Sequence, residues 1–204
     1  MNDNIYISLF DSIPTWVMLF PIFLCSVIAC AVMVERSLFY RRINFDYRLI
    51  ARNCADRIKK RKFDEARNVC GEYSGPIIRI MEASIGSAAD GDLQSSLVAD
   101  LSERSLKKIQ KHLGLMSTIA TVSPMFGLFG TVTGMMKSFS ALTKSGQFAH
   151  DLLARGIAEA LVTTALGLMV AIPSWIFYNY MVSKVDHYIK ETEFVADTLS
   201  ELNG

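Results

Sequence analysis

Three long runs of apolar residues alternate along this chain with segments that carry almost all of its charge. The runs from Ile13 to Val34, from Leu113 to Met136 and from Ala160 to Ser183 contain no Asp, Glu, Lys or Arg. Each run is long enough to cross a hydrocarbon core of about 30 Å as a helix that rises about 1.5 Å per residue. The pattern predicts an all-α integral membrane protein with transmembrane helices at residues 13–34, 113–136 and 160–183.

The charged segments predict which side of the membrane each connection faces. Residues 35–112 hold 16 of the 21 Lys and Arg, which is typical of a cytoplasmic segment under the positive-inside rule. Residues 137–159, a short loop with the start of the third helix, carry only three Lys and Arg residues and are predicted to face outside. Residues 1–12 then lie outside, and the tail, residues 184–204, lies in the cytoplasm as a helix.

Helical periodicity continues into the cytoplasmic segment. Residues 63–67 predict a short helix that ends before Ser74-Gly75-Pro76, and Asp90-Gly91-Asp92 predicts a turn. The apolar positions after that turn follow a helical stripe into the second membrane run. They predict one unbroken helix from cytosol to lipid: Leu93, Leu97, Leu101, Leu106, Ile109, Leu113 and Met116.

The tail beyond the third run repeats apolar residues at spacings of four and three among charged ones. This stripe favours two structures equally. The helix either packs on its own chain or forms an interface between subunits. Its positions are Val185, Ile189, Thr192, Ala196 and Leu199.

The third apolar run is preceded by a carboxylate. Glu159 would lie at the edge of the hydrocarbon, where an ionised side chain costs several kcal/mol unless it faces protein or water, so it is a candidate functional residue. Small and polar residues follow on one narrow helical stripe, with Glu159 and Thr164 on its two flanks. The stripe consists of Gly156, Ala160, Thr163, Gly167, Ala171 and Ser174.

The second apolar run has a matching face, in which small and polar residues occupy an arc of about 100°. Small residues let helices approach closely in lipid, so helix packing is predicted for both runs. For a single helix packing alone is the better interpretation, but two such helices and a carboxylate favour an ion pathway. The packing residues are Gly127, Gly130 and Gly134 with Gly156, Ala160 and Gly167. Kinks are predicted at Pro21, Pro124 and Pro173.

Other chemistry finds little support in the sequence. Cys25 and Cys30 fall on opposite faces of the first helix, and Cys54 and Cys70 fall in the cytoplasmic segment, so we expect neither a disulfide nor a metal site. The motifs His-Glu-x-x-His and Gly-x-Ser-x-Gly are absent from the sequence. We therefore expect no enzyme activity, no cofactor and, with a net charge of +1, no nucleic-acid partner.

Two motifs resemble a known family. Residues 121–136, with the sequence TVSPMFGLFGTVTGMM, and residues 156–173, which open with GIAEAL and close with AIP, look like the paired signatures of the MotA/TolQ/ExbB proton channel family, with the strongest likeness to ExbB and TolQ. The resemblance covers nearly the whole chain. It includes three helices, a large cytoplasmic segment and the pair Glu35-Arg36.

The resemblance implies a multi-pass subunit of the bacterial inner membrane, with the N-terminus in the periplasm. Such proteins form a ring of five around two helices of an ExbD/TolR-like partner, whose aspartate binds the translocated ion. Ion passage would drive work on a TonB/TolA-like protein that spans the periplasm. Carried over to this sequence, the motif makes Thr131 and Thr164 hydroxyls of the ion pathway, with Thr163 beside them, and Glu159 the acid at its outer mouth.

The identity of the ion stays open at this point, with the proton preferred. Adjacent threonines such as Thr163 and Thr164 resemble those of sodium-driven stators, but hydroxyls also serve proton relays. Two other interpretations remain, a flagellar-stator-like subunit and a membrane scaffold that conducts nothing. The sequence specifies neither the number of subunits nor the load that such a motor would drive.

Overall fold

The computed structural model describes residues 15–90, 95–145 and 149–200. These residues form seven α-helices and no strand, which confirms the all-α prediction for this part of the chain. The helices are α1 (Thr15–Arg42), α2 (Tyr47–Lys59), α3 (Phe63–Gly71), α4 (Pro76–Asp90), α5 (Ser95–Ile109), α6 (Leu113–Ser145) and α7 (Ala149–Ser200).

Three of the described helices, α1, α6 and α7, contain stretches long and apolar enough to cross a membrane, as predicted. Helix α7 has 52 residues, so the third membrane run and the tail form one helix. Helix α6 continues to Ser145 and α7 begins at Ala149, so most of the stretch predicted as a loop is helical.

The prolines lie inside these helices without ending them. Pro21 is inside α1, Pro124 inside α6 and Pro173 inside α7. The bends predicted at these positions stay predictions. In each case the carbonyl four residues earlier lacks its usual N–H donor, and in α6 that carbonyl belongs to Ala120.

The described residues divide into two compact units. The first contains α1 up to Val34 together with Gly114–Asn179, and the second contains Glu35–Leu113 together with the end of α7 from Tyr180 onward. Helices α1, α6 and α7 therefore contribute residues to both units.

The predicted unbroken helix from Leu93 to Met116 is wrong. Helix α5 ends at Ile109 and α6 begins at Leu113, and His112 between them has a φ of 67°. A left-handed residue cannot continue a right-handed helix. The apolar stripe passes through the break because both helices bury their apolar faces, so periodicity alone did not show it. Residues 93 and 94 lie outside the described residues.

In the second unit, α2 packs against α3 and α4, and α4 packs against α5. Cys54 of α2 and Cys70 of α3 are fully buried, and their sulfur atoms lie 3.4 Å apart. All four cysteines are free thiols. The hydrogen bond between the two thiols lowers the pKa of Cys54 and raises the pKa of Cys70.

The end of α7 packs on its own chain. Tyr188 is buried and donates a hydrogen bond of 3.3 Å to the carbonyl of Ile43, and Glu191 pairs with Arg48 of α2 at 2.8 Å. Tyr188 also stacks on Tyr40 with 6.2 Å between ring centroids. Of the two structures that the sequence left open for the tail, the described residues show packing within the chain.

Candidate functional site

Helices α6 and α7 meet along their small residues in the first unit. A Cβ added to Gly130 would lie 2.5 Å from Thr163 Oγ1, and one added to Gly134 would lie 2.8 Å from the Cβ of Ala160. Real Cβ atoms do not approach so closely, so only glycine fits at these two positions without a shift of the neighbouring helix.

Two further contacts extend this interface in both directions. A Cβ at Gly167 would lie 2.7 Å from the backbone oxygen of Ser123, and one at Gly156 would overlap the side chain of Ser138. Residue numbers rise along α6 as they fall along α7, so the two helices are antiparallel. The six predicted packing positions all lie at this contact. The close backbone approach supplies the dispersion contacts that hold helices together in lipid.

Hydroxyl groups line the same contact and donate to carbonyls of α6. Thr164 Oγ1 donates to the Gly127 carbonyl at 3.1 Å, and Thr131 Oγ1 donates to the Leu128 carbonyl at 2.7 Å. The acceptors belong to consecutive residues. A hydroxyl has one hydrogen and two lone pairs, so each hydroxyl uses its hydrogen here and keeps oxygen lone pairs that can accept a proton or coordinate a cation.

Thr163 differs from Thr164 in its surroundings. Its side chain is 3% exposed and lies against Gly130, and its hydroxyl donates to the carbonyl of Ala160 at 2.7 Å and approaches the Gly127 carbonyl at 3.4 Å. Thr164 is half-buried. This geometry gives Thr163 a packing role between α6 and α7, while its predicted role in the ion pathway stays a prediction.

Glu159 lies on an exposed part of α7. Among the described residues its carboxylate has no hydrogen-bond or ion-pair partner that would hold its charge in place. It precedes Thr164 by five residues, a rise of about 7.5 Å along the helix. The carboxylate is therefore available to a partner or to water near the hydroxyls, although it is not part of the α6–α7 contact.

Two further residues of this contact, Ser138 and Ser123, are not among the predicted site residues. Ser138 lies beyond the predicted end of the second membrane helix, yet its hydroxyl donates to Gly134 at 2.9 Å and its side chain faces Gly156. The four-residue spacing from Gly134 was the available signal. Ser123 is fully buried, and its hydroxyl has no partner among the described residues.

Comparison with known proteins assigns the family. Residues 52–193 match the MotA/TolQ/ExbB proton channel family, which is more than half of the chain. The chain belongs to this family. The MotA/TolQ/ExbB match covers α6 and all of α7 except its last seven residues, and therefore both small-residue faces. It confirms the resemblance inferred from the two motifs and places the chain among membrane channel proteins rather than enzymes.

Individual MotA/TolQ/ExbB relatives match different lengths of the chain. The Tol-Pal system protein TolQ of Haemophilus influenzae is 42% identical over 83 residues, which are 41% of this chain and 36% of that protein. The biopolymer transport protein ExbB of Salmonella typhimurium is 28% identical over 181 residues, 81% of this chain and 71% of that protein. ExbB of Aquifex aeolicus is 39% identical over 89 residues, which are 44% of this chain and 60% of that protein. The chain thus spans about a third of the TolQ protein.

Proposed function

We propose that this protein is the ion-conducting subunit of an energy-transducing motor in the bacterial inner membrane. It would work with an ExbD/TolR-like single-span partner and deliver mechanical work to a TonB/TolA-like protein that spans the periplasm. The ion is the proton, with sodium as the alternative. The family match and the names of the relatives support this class of function.

One observation carries the proposal, the pair of hydroxyls on consecutive carbonyls of α6. Thr131 and Thr164 come from different helices but donate to the neighbouring carbonyls of Leu128 and Gly127. In a purely structural helix pair, hydroxyl groups need only satisfy themselves on their own backbone. Thr131 does so on α6, but Thr164 reaches across to the other helix, and both oxygens keep lone pairs.

The chain needs a partner to complete this chemistry. The described parts of α1, α6 and α7 that lie in the three apolar runs contain no carboxylate, and Glu159 lies just before the third run. Proton translocation requires a group that binds and releases the proton within the membrane, and hydroxyls are too weakly acidic and basic to do so alone. An aspartate on the partner's helix would supply this group, and the hydroxyls would relay to it.

The experiment is reconstitution in liposomes with a pH-sensitive dye inside. The full chain, alone or with its single-span partner, is placed under a membrane potential, and proton entry is followed over time. We expect entry only with the partner present, and its loss when the partner's intramembrane aspartate is changed to asparagine. Entry at equal rates with and without the partner would contradict the proposal.

A scaffold that conducts nothing is the second candidate, and the tight glycine contacts of α6 and α7 favour it to the extent that they show packing. The same liposomes separate the two functions. A scaffold would assemble with the partner to a complex of defined mass, and neither protein would pass protons under a potential.

A further inference from the structure

Three helices meet around Tyr40 in the second unit. The Tyr40 hydroxyl donates to the carbonyl of Ile109, at the end of α5, at 3.1 Å. Its ring contacts the rings of Tyr180 and Tyr188 on α7, with centroid distances of 6.3 and 6.2 Å. Helix α1, the α5–α6 junction and helix α7 are therefore held at one level by buried contacts.

A second set of contacts lies beside Tyr40. Arg36 is 2% exposed and donates to the carbonyl of Lys108 at 3.2 Å. Glu35 lies 3.7 Å from Arg36 and 3.4 Å from His112. The carbonyls at the end of α5 carry partial negative charge and are capped by the Arg36 cation and the Tyr40 hydroxyl. These contacts fix the α5–α6 junction against α1.

This level coincides with the ends of the apolar runs. The first run ends at Val34, the second begins at Leu113 and the third ends at Ser183. Tyrosines and basic residues concentrate where membrane helices enter the headgroup region. Tyr40, Tyr180 and Tyr188 meet within a few residues of these limits, so we expect this level to lie among the headgroups of one leaflet.

Exposed cations flank the buried contacts at this level. Arg41 and Arg42 follow Tyr40 in the last turn of α1, and Lys108 and Lys111 flank Ile109 at the junction. All four side chains are exposed. Within the described residues none of them has an ion-pair partner, whereas the nearby Lys107 pairs with Glu103 at 2.6 Å.

We propose that Arg41, Arg42, Lys108 and Lys111 form a cationic rim that binds the phosphate of anionic phospholipid headgroups. The four residues lie on two elements that are tied together at Tyr40, so their backbone positions are fixed relative to one another. Basic residues next to a membrane helix attract anionic lipids electrostatically. Each would strengthen the binding about fivefold, and the effect would be screened by salt.

Lipid is favoured over an acidic protein partner by position. The four cations are within about two turns of the ends of apolar runs, and their counter-charges would come from the leaflet that surrounds those runs. The only described carboxylate that contacts the junction, Glu35, already faces Arg36 and His112. The rim therefore has an excess of positive charge at headgroup depth.

The test measures lipid retention by the purified full chain. The detergent-solubilised protein is titrated with phosphatidylglycerol or with phosphatidylcholine, and bound lipids are counted by native mass spectrometry. We expect preferential binding of phosphatidylglycerol that weakens with salt. Arg41→Gln, Arg42→Gln, Lys108→Gln and Lys111→Gln together should abolish the preference. The two pairs are also tested separately, so that a fold defect in the fourfold variant does not decide the outcome.

A matched control removes four exposed cations elsewhere in the same unit. The variant Arg52→Gln, Lys59→Gln, Lys60→Gln and Lys190→Gln should keep the preference for phosphatidylglycerol. Equal binding of both lipids to the unchanged protein would overturn the proposal, and so would an equal loss in the control. Displacement of the lipid by inorganic phosphate at the same concentration would show a site for free anions, and tighter binding of a glutamate-rich peptide would show a protein surface.

Discussion

The hydroxyl of Thr164 on α7 donates a hydrogen bond of 3.1 Å to the carbonyl of Gly127 on α6. The two helices can come this close only because residue 127 is a glycine. A Cβ at this position would lie 3.0 Å from the Cα of Thr164. The glycine thus allows the close approach that aligns the hydroxyl. Packing and the proposed ion pathway would therefore depend on the same contact.

Replacing Thr164 by valine should reduce proton entry by about tenfold, the effect expected from losing one hydrogen bond of about 1–1.5 kcal/mol in the pathway. Valine keeps the shape of threonine, and the Gly127 carbonyl keeps its bond within α6, so assembly should remain intact. Thr164→Ser should restore entry. Flux is measured in the dye-loaded liposomes, and assembly by the mass of the purified complex.

Thr118 provides the matched control for this change. Its hydroxyl also donates to a carbonyl, that of Gly114 on the same helix, at 2.9 Å. Thr118→Val should leave proton entry unchanged. If Thr118→Val and Thr164→Val reduce entry equally, the cross-helix hydroxyl has no special role.

Exchanging glycine and alanine between positions 134 and 160 tests the contact between α6 and α7. Gly134→Ala should destabilise the helix pair by about 1–3 kcal/mol through overpacking, because its Cβ would lie 2.8 Å from the Cβ of Ala160. The double change Gly134→Ala with Ala160→Gly removes that overlap and should recover most of the stability. Gly134→Leu cannot be relieved in this way and should abolish assembly.

The measurement is the thermal midpoint of the detergent-solubilised protein together with its mass. Gly114→Ala serves as the control, since nothing lies within 4 Å of a Cβ at that position. It should leave the midpoint unchanged or raise it slightly. Recovery of an intact complex with Gly134→Leu would show that this face of α6 contacts lipid and not α7.

Alkaline pH should loosen the packing of the α7 tail. Burial, with Tyr180 and Tyr40 nearby, raises the pKa of Tyr188 from 10.0 to about 12. A raised pKa means that the folded state holds the proton more tightly, so this stability is complete below about pH 10 and is lost as the pH rises through about 12. Burial likewise raises the pKa of Tyr47.

The tyrosinate absorbance and the helical circular dichroism are followed together from pH 9 upward, a range set by the ordinary tyrosine pKa of about 10. We expect Tyr188 to ionise at a higher pH than an exposed tyrosine, and the helical signal to fall as it does so. Tyr188→Phe removes the hydrogen bond to Ile43 and should lower the free energy of unfolding by about 1 kcal/mol at neutral pH. The stability of this variant should also fall less as the pH rises. An unchanged alkaline profile in this variant would contradict the assignment.

The sequence predicted the helices that apolar periodicity specifies, and it predicted the small-residue faces because glycine at helical spacing has few other uses in lipid. It failed at His112, where a left-handed residue separates α5 from α6 without a glycine or proline as signal. It could not place Thr163 against Gly130 or the tail against α2, since both depend on how separate helices dock. The ion-pathway roles of Thr131, Glu159, Thr163 and Thr164 stay predictions.

Removing the charge of Glu159 should slow cation entry without affecting assembly. The carboxylate is exposed, so Glu159→Gln costs no buried interaction but removes the negative charge that would raise the local cation concentration. Glu159→Ala should reduce entry further, because alanine, unlike glutamine, has no side-chain oxygen that can accept a hydrogen bond. Asp151→Asn, which removes another exposed carboxylate from the same helix, should have little effect. Normal entry in both Glu159 variants would exclude this residue from the pathway.

We expect the transported ion to be the proton rather than sodium. A dehydrated sodium ion needs several oxygen ligands at once, and backbone carbonyls commonly supply them. Here the carbonyls of Gly127 and Leu128 already accept hydrogens from Thr164 and Thr131, which leaves the hydroxyl oxygens as acceptors for a relayed proton. Transport by the complex should therefore continue when the sodium gradient is collapsed while the pH gradient and the potential are held. It should stop when the pH gradient and the potential are collapsed and the sodium gradient is kept. Transport that follows the sodium gradient in these two conditions would show that sodium is the coupling ion, and the proton assignment would be wrong.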